Sequence, residues 1–252
     1  MRGTNIKIVL QYDGTRYDGW QKQGNTDRTI QGRLERILER MTGQPVEVYG
    51  SGRTDAGVHA LRQTANFYLP PDSQGKEWTP EAARDALNRY LPEDIAVLSV
   101  EEADPRFHAR LHAIRKTYVY RIWNSPVRNV LKRRFQVQVE EPLCVENMRR
   151  AAKALCGMHD YRAFCSLKRF KKSTVRKIEE IRIEQDGPDI QISYTGDGFL
   201  YHMVRILTGT LVETGLGLRD ADSMESLLES RDRSLAGRLM PPEGLMLMNV
   251  EY

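Results

Sequence analysis

Cysteine is scarce: Cys144, Cys156 and Cys165 are the only three in 252 residues. So sparse and odd a set makes no disulfide framework at this length, and buried, inert thiols are expected. Cys156, His159 and Cys165, even joined by His108 or His112, include no Cys-x-x-Cys pair, so no metal site is expected. No run of about eighteen apolar residues occurs, which leaves the sequence without a candidate membrane-spanning helix. From Met1-Arg2-Gly3 the chain passes directly into a strand-like pattern with no apolar signal region, and a cytoplasmic location is expected. Walker-type and dinucleotide glycine fingerprints are both missing, and no Ser–His or Cys–His motif stands out. Phosphoryl and hydride transfer are therefore disfavoured, and no cofactor is expected.

Charge of one sign is locally missing as well. Over the whole chain 38 basic residues stand against 34 acidic ones, a net charge of only +4. Between Arg106 and Arg134, however, there is no acid at all, while Arg106, Arg110, Arg115, Lys116, Arg121, Arg128, Lys132, Arg133 and Arg134 are all basic. A second run reads Lys168-Arg169-Phe170-Lys171-Lys172, followed by Arg176-Lys177. Such runs are often solvated faces. Interleaved with Tyr118, Tyr120, Trp123, Phe135 and Phe170, these suit a polyanion with stackable bases.

A content of 40% hydrophobic and 29% charged residues is that of a soluble globular chain able to bury a sizeable core. Periodicity predicts strands over 6–12, 46–51, 64–69 and 95–100. It predicts helices from Ile30, after a Thr29 cap, to Met41, and from Thr79-Pro80 to Leu91. The alternation then begins again. Strands are expected over 115–123, 135–139 and 245–250, with a hairpin of 175–184 and 190–195 about Asp186-Gly187-Pro188. Helices are expected over 145–156, 199–213 and 221–229. The fold class is α+β: two similar α/β units with mainly antiparallel sheets, 1–104 and 105–252, meeting at a central basic cleft. No low-complexity linker marks the junction.

The most informative stretch is Ser51-Gly52-Arg53-Thr54-Asp55-Ala56-Gly57-Val58-His59-Ala60. One carboxylate lies between two glycines, which let the backbone turn sharply and approach a large ligand closely. Asp and Gly are also ordinary turn residues, so Asp-Ala-Gly alone specifies a turn and nothing more. No second acid occupies a comparable loop, which leaves a paired-carboxylate glycosidase unsupported. What remains is a lone anionic nucleophile or base with arginines available to hold it. From the residues alone, an RNA-binding protein or folding chaperone and a zinc-dependent base-modifying enzyme stay open beside it.

The decapeptide resembles the signature of the TruA-type tRNA pseudouridine synthases, and three more segments agree. They are Tyr12-Asp-Gly-Thr-Arg-Tyr-Asp-Gly-Trp-Gln-Lys-Gln23, Phe107-His-Ala-Arg110 with Arg115-Lys-Thr-Tyr-Val-Tyr120, and Gly198-Phe-Leu-Tyr-His-Met-Val-Arg205 with Gly209. Their order runs through nearly the whole chain. The chain departs from the family pattern at Ile206, where asparagine is frequent, and at Leu239-Met240-Pro241. The resemblance implies isomerisation of uridine to pseudouridine at positions 38, 39 and 40 of the tRNA anticodon stem-loop, without cofactor or metal. Asp55 is then the nucleophile, with C6 of the base and C1′ of the ribose both open as the point of attack. The same resemblance makes Arg205 the partner of that carboxylate and Tyr118 the residue against the target base. Arg53 neutralises a phosphate or serves the loop, and His59 is a hydrogen-bonded loop histidine. Gly14, Gly19, Trp20 and Gln21 shape or line the RNA groove. Phe107, His108 and Arg110 do likewise, with Phe107 the nearest of them to a core residue. A homodimer is expected, each tRNA touching both subunits.

Overall fold

Alternating burial along Thr4–Tyr12 makes it a strand, β1, with Ile6, Ile8 and Leu10 inward. The computed structural model describes residues 3–72, 75 and 77–252, so Met1 and Arg2, where the N-terminal pattern was read to begin, lie outside the described residues. By internal contacts the chain divides into two compact units, Met1–Ile114 with Leu247–Tyr252, and Arg115–Met246. Each is a largely antiparallel sheet with helices packed on it, in keeping with the α+β class.

In the first unit β1 pairs antiparallel with β3 (His59–Leu69) on one side and β4 (Ile95–Glu102) on the other. The two-residue β2 (Tyr49–Gly50) pairs with β3, and the end of β10 (Leu245–Glu251) also lies beside β3. Helix α1 (Ile30–Thr42) starts where the Thr29 hydroxyl accepts the Gly32 N–H, and ends at Gly43 in the left-handed region (φ 74°). Its Ile30, Leu34, Ile37 and Leu38 form one apolar stripe. Helix α2 (Pro80–Tyr90) has the expected Thr79 cap and Pro80 in its first turn.

In the second unit β5 (Arg115–Asn124) pairs with β9 (Asp189–Gly196), β9 with β8 (Val175–Asp186), and β8 with β7 (Gly157–Asp160), all antiparallel. The short β6 (Val137–Val139) runs parallel to β5. Helices α3 (Val145–Ala154), α4 (Met203–Gly215) and α5 (Met224–Ser230) complete this unit. Helix α4 is buried nearly all round: apolar residues dominate it, and the hydroxyls of Thr208, Thr210 and Thr214 bond back to carbonyls one turn earlier.

Four departures from expectation have local causes. The units divide between Ile114 and Arg115, not near 105. The Asn5 amide donates to the carbonyls of Asp104 (2.8 Å) and Phe107 (3.0 Å), Tyr68 donates to Pro105 O (2.8 Å), and Ala109 N–H to Asn66 Oδ1 (2.9 Å). These bonds keep 104–109 with the first unit. Strand β3 begins at His59, because a register shift beside Leu10/Tyr12 breaks the alternation that marks a strand. Strand β7, of sequence Gly-Met-His-Asp, carries no β-branched residue and gives no strand signal. Finally, α4 starts at Met203, not Phe199, since His202 before it is left-handed (φ 66°).

Candidate active site

Asp55 opens a tight turn in which Val58 N–H donates to the Asp55 carbonyl (3.2 Å) and Gly57 takes φ 78°. A positive φ at that third position is what a type II turn demands, and glycine supplies it without strain. The turn is clamped from beneath by residues 14–20. Trp20 N–H donates to Thr54 O (3.0 Å), and Gly57 N–H donates to Tyr17 O (3.2 Å). Gly19, at φ 101°, faces the Thr54–Asp55 backbone so closely that a Cβ would lie 2.7 Å from Thr54 O. At Gly14 a Cβ would meet Val58 O at 2.0 Å. Gly14→Ala must therefore push the two loops apart, and is expected to cost about 2 kcal/mol. Melting about 4–8 °C below the wild type would show it; an unchanged Tm would mean the loops are not held against each other.

Side chains secure the same turn. The hydroxyls of Tyr12 and Thr54 lie 2.8 Å apart, both buried, and Ser51 donates to Gln63 Oε1 (2.6 Å) while Gln63 Nε2 donates to Gly52 O (3.1 Å). Burial pushes the Tyr12 phenol up to about 12, against the opposing pull of its bonds to Thr54 and Gln63, so it stays neutral at ordinary pH. Each such bond contributes about 1 kcal/mol net, but leaving a buried partner unsatisfied costs more. Asp55 itself is half-buried, and Arg53 is exposed on the same loop. The carboxylate is thus presented from a rigid backbone rather than a mobile one.

The other expected residues of this unit fall into two groups. Gly14 and Trp20 are buried, Trp20 at 2% exposure with its ring against Gly50, so both shape the loop from below and neither lines a surface. His59 is likewise enclosed at 1% exposure, as the first residue of β3 rather than in the loop; its Nδ1 accepts the Gly14 N–H (3.0 Å). Gln21 donates to Gln31 Oε1 (2.8 Å) at the start of α1. Phe107 is half-buried against Tyr252 and His112, with Lys7 5.5 Å from its ring centre. His108 packs on Tyr49 (5.0 Å between ring centres), and Arg110 is exposed. Asp13, which lies 3.2 Å from the His59 ring, and Tyr12 open the Tyr12–Gln23 motif, but the sequence assigns neither a role. Only the register of β1 on β3 brings them to the turn.

In the second unit Tyr118 points from β5, directly across from Tyr194 of β9. Its ring meets Phe199 edge-on at 5.3 Å and 85°, leaving Tyr118 8% exposed. Phe199 was legible in the Gly198–Arg205 motif, but its contact with Tyr118 was not. Arg205, on the first turn of α4, donates from Nε to Met240 O (2.7 Å), and its own carbonyl accepts Met240 N–H (3.3 Å). This pair of bonds to residue 240 orients a guanidinium that is 8% exposed. Close packing holds the seam: a Cβ on Gly209 would lie 1.9 Å from Arg238 O, and one on Gly237 2.4 Å from Thr210 N. The neighbouring Tyr120 donates to Pro241 O (2.7 Å), and burial raises its pKa. The departing residues Leu239–Pro241 therefore sit where Arg205 is held, whereas Ile206 is wholly buried.

Among the described residues no group of three or more His, Cys, Asp or Glu is arranged to hold a metal ion. His159 Nε2 lies 2.9 Å from the Cys156 carbonyl. Cys165 is buried and Cys156 half-buried, with both thiols pushed up by burial. Cys144 departs from the expectation of buried thiols: it is exposed, because it stands at the N-terminal end of α3 with its N–H bonded to Gly215 O (2.8 Å). In the basic runs, Arg128, Lys132, Arg133 and Arg134, and Lys168, Arg169, Lys171 and Lys172, are all exposed. No helix among the described residues is long and apolar enough to cross a membrane.

Residues 8–111 and 151–252 match the family described as tRNA pseudouridine synthase. Tyr118 and the basic loop of 128–134 lie between those two segments. Over 248 residues the chain is 42% identical to "tRNA pseudouridine synthase A 2" of Bacillus cereus, covering 98% of this chain and 99% of the relative. It is 44% identical to "tRNA pseudouridine synthase A" of Bacillus sp. (strain KSM-64) and 43% to that of Acetivibrio thermocellus, with the same coverage in both. A chain in the crystal structure of a Cbf5-Nop10-Gar1 complex aligns with 96% of this chain and 48% of its own length at 14% identity, with a TM-score of 0.38. That likeness is too slight to bear on fold or function.

Proposed function

The chain belongs to the tRNA pseudouridine synthase family, an isomerase acting on tRNA uridine, and we propose that it modifies positions 38, 39 and 40 of the anticodon stem-loop with Asp55 as nucleophile. The reaction breaks the bond between N1 of uracil and C1′ of ribose, forms one between C5 and C1′, and moves the C5 proton to solvent while N1 takes one up. Atoms and electrons balance without an oxidant or a second substrate, so the chemistry calls on no cofactor. A carboxylate nucleophile divides the exchange into easier steps through a covalent intermediate, whether it adds to C6 of the base or attacks C1′ of the ribose.

The observation that carries this reading is the Asp55 turn, which residues 14–20 hold by two backbone bonds and two close glycine contacts. A nucleophile gains most when its approach is set before the substrate arrives. Tyr118 and Arg205 complete the catalytic set as the contact to the target base and the charge that serves Asp55. The exposed Arg53 meets phosphate near the everted nucleotide, since a stacked uridine must leave the helix to be reached. Gln21, His108 and Arg110, with the runs 128–134 and 168–172, give a surface that reads shape and phosphates more than sequence. The enzyme acts as a homodimer in the cytoplasm.

The test is pseudouridine mapping on unmodified tRNAs carrying uridine at 38, 39 or 40, incubated with the purified protein and chelator. Product at those positions is expected. Product confined to another arm of the tRNA would overturn the assignment of the substrate position. Intact binding without product at any site would leave only an RNA-binding role.

A further inference from the structure

We propose that Tyr201 is a stacking platform for an unpaired base of the RNA substrate, pre-set by His202 and Ser166 and separate from the residues that do the chemistry. This rests on the reading that the chain binds tRNA. Tyr201 is 49% exposed, yet its ring is not loose: it stacks on His202 with ring centres 3.7 Å apart and planes at 26°. One face of the tyrosine is therefore covered by imidazole while much of the ring stays open to solvent. His202 is one of two non-glycine residues with positive φ among those described, at 66°. Strain of that kind persists where the surroundings over-determine it, and it concentrates at functional sites.

Ser166 does the over-determining. Its Oγ lies 2.9 Å from His202 Nδ1, and its N–H donates to the Tyr201 carbonyl (3.3 Å). One residue thus holds both members of the stack. The basic run Lys168-Arg169-Phe170-Lys171-Lys172 begins two residues later, and all four of its cations are exposed. Within that run Phe170 is itself covered by the Arg162 guanidinium at 5.1 Å. On the other side, Phe199 lies two residues before Tyr201 and makes the edge-on contact with Tyr118. The platform is therefore rooted in the same short segment that buttresses Tyr118, with a cationic strand of chain leaving it. An aromatic face beside a track of exposed cations is the chemistry that binds single-stranded nucleic acid: bases stack on the ring, and the phosphates follow the charge. Because the ring is ordered before binding, its stacking is not offset by fresh loss of rotamer freedom.

The experiment uses an anticodon stem-loop RNA with 2-aminopurine at one loop nucleotide at a time, whose emission falls on stacking. Wild type is expected to quench one loop position on binding. Tyr201→Ala should abolish that quench and raise KM for tRNA about tenfold, with kcat within about twofold of wild type and an unchanged Tm. Tyr201→Phe and Tyr201→Trp should behave as wild type. An unchanged quench and KM in Tyr201→Ala would overturn the platform. So would a fall in kcat at constant KM, which would make Tyr201 a support for α4. If Tyr201→Phe were as impaired as Tyr201→Ala, the hydroxyl and not the ring would be the contact, which also overturns it. The quench needs no turnover, so a protein that quenches but forms no pseudouridine sinks the proposed reaction and leaves the platform standing.

Discussion

Asp55→Asn is expected to lower pseudouridine formation by at least about 10³-fold while leaving tRNA affinity within about twofold. The magnitude is that of removing a nucleophile from an otherwise intact site. Asparagine has nearly the shape of aspartate, and the backbone bonds of the turn do not involve the side chain of residue 55. Its structure rests on the Asp55 carbonyl bonded to Val58 N–H, on Gly57 at φ 78°, and on the clamp by Tyr17, Gly19 and Trp20. The variant should therefore fold and melt as the wild type does. Single-turnover rates and a binding isotherm on the same tRNA separate the outcomes. Loss of rate with retained binding supports a catalytic carboxylate. Parallel loss of both would make Asp55 a binding or structural residue, and an unchanged rate would assign the chemistry to another group.

Arg205→Met is expected to cost about 10²–10³-fold in kcat, the range for removing a pre-organised charge from a reacting centre. Methionine keeps the length and apolar stem of arginine, so α4 can keep its packing. What disappears is the guanidinium, together with its 2.7 Å bond to Met240 O. Arg205→Lys should be nearly as poor, since an ammonium lacks the planar fork through which one nitrogen is anchored while the others act. Rates and Tm together decide the matter. A kcat within about threefold of wild type in both variants would remove Arg205 from the chemistry. A fall in Tm matching the loss of rate would make the Met240 bond structural and the charge incidental.

Most secondary structure was legible because its signals are local. Thr29 and Thr79 cap α1 and α2 as their hydroxyls predict, and the strand expected over 115–123 is β5, although Tyr118, Val119 and Tyr120 are buried in succession instead of alternating. The failures came where alternation is interrupted or where short polar segments pair. Strand β7 forms because β8 offers it an edge, and β3 extends back to His59 through an irregular register with β1. Helix α4 starts later than its apolar pattern predicts for a related reason. Phe199–Tyr201 are apolar enough to read as helix, but Ser166, remote in sequence, holds His202 in a left-handed conformation that helix cannot include.

The candidate site divides along the same line. Residue types, spacing and the resemblance they carry determined the family, the turn at Asp55 and the shortlist of groups able to do chemistry, because these are properties of contiguous stretches. Only the tertiary structure decided what each member of that shortlist does in the fold. It buried Trp20 and His59 beneath the loop, left Arg53 and Arg110 at the surface, set Phe199 on Tyr118, and tied Arg205 to the carbonyl of Met240. Contacts of that kind join residues tens of positions apart. They depend on which strands pair and in what register, and that is settled by the burial of the whole core rather than by any local pattern.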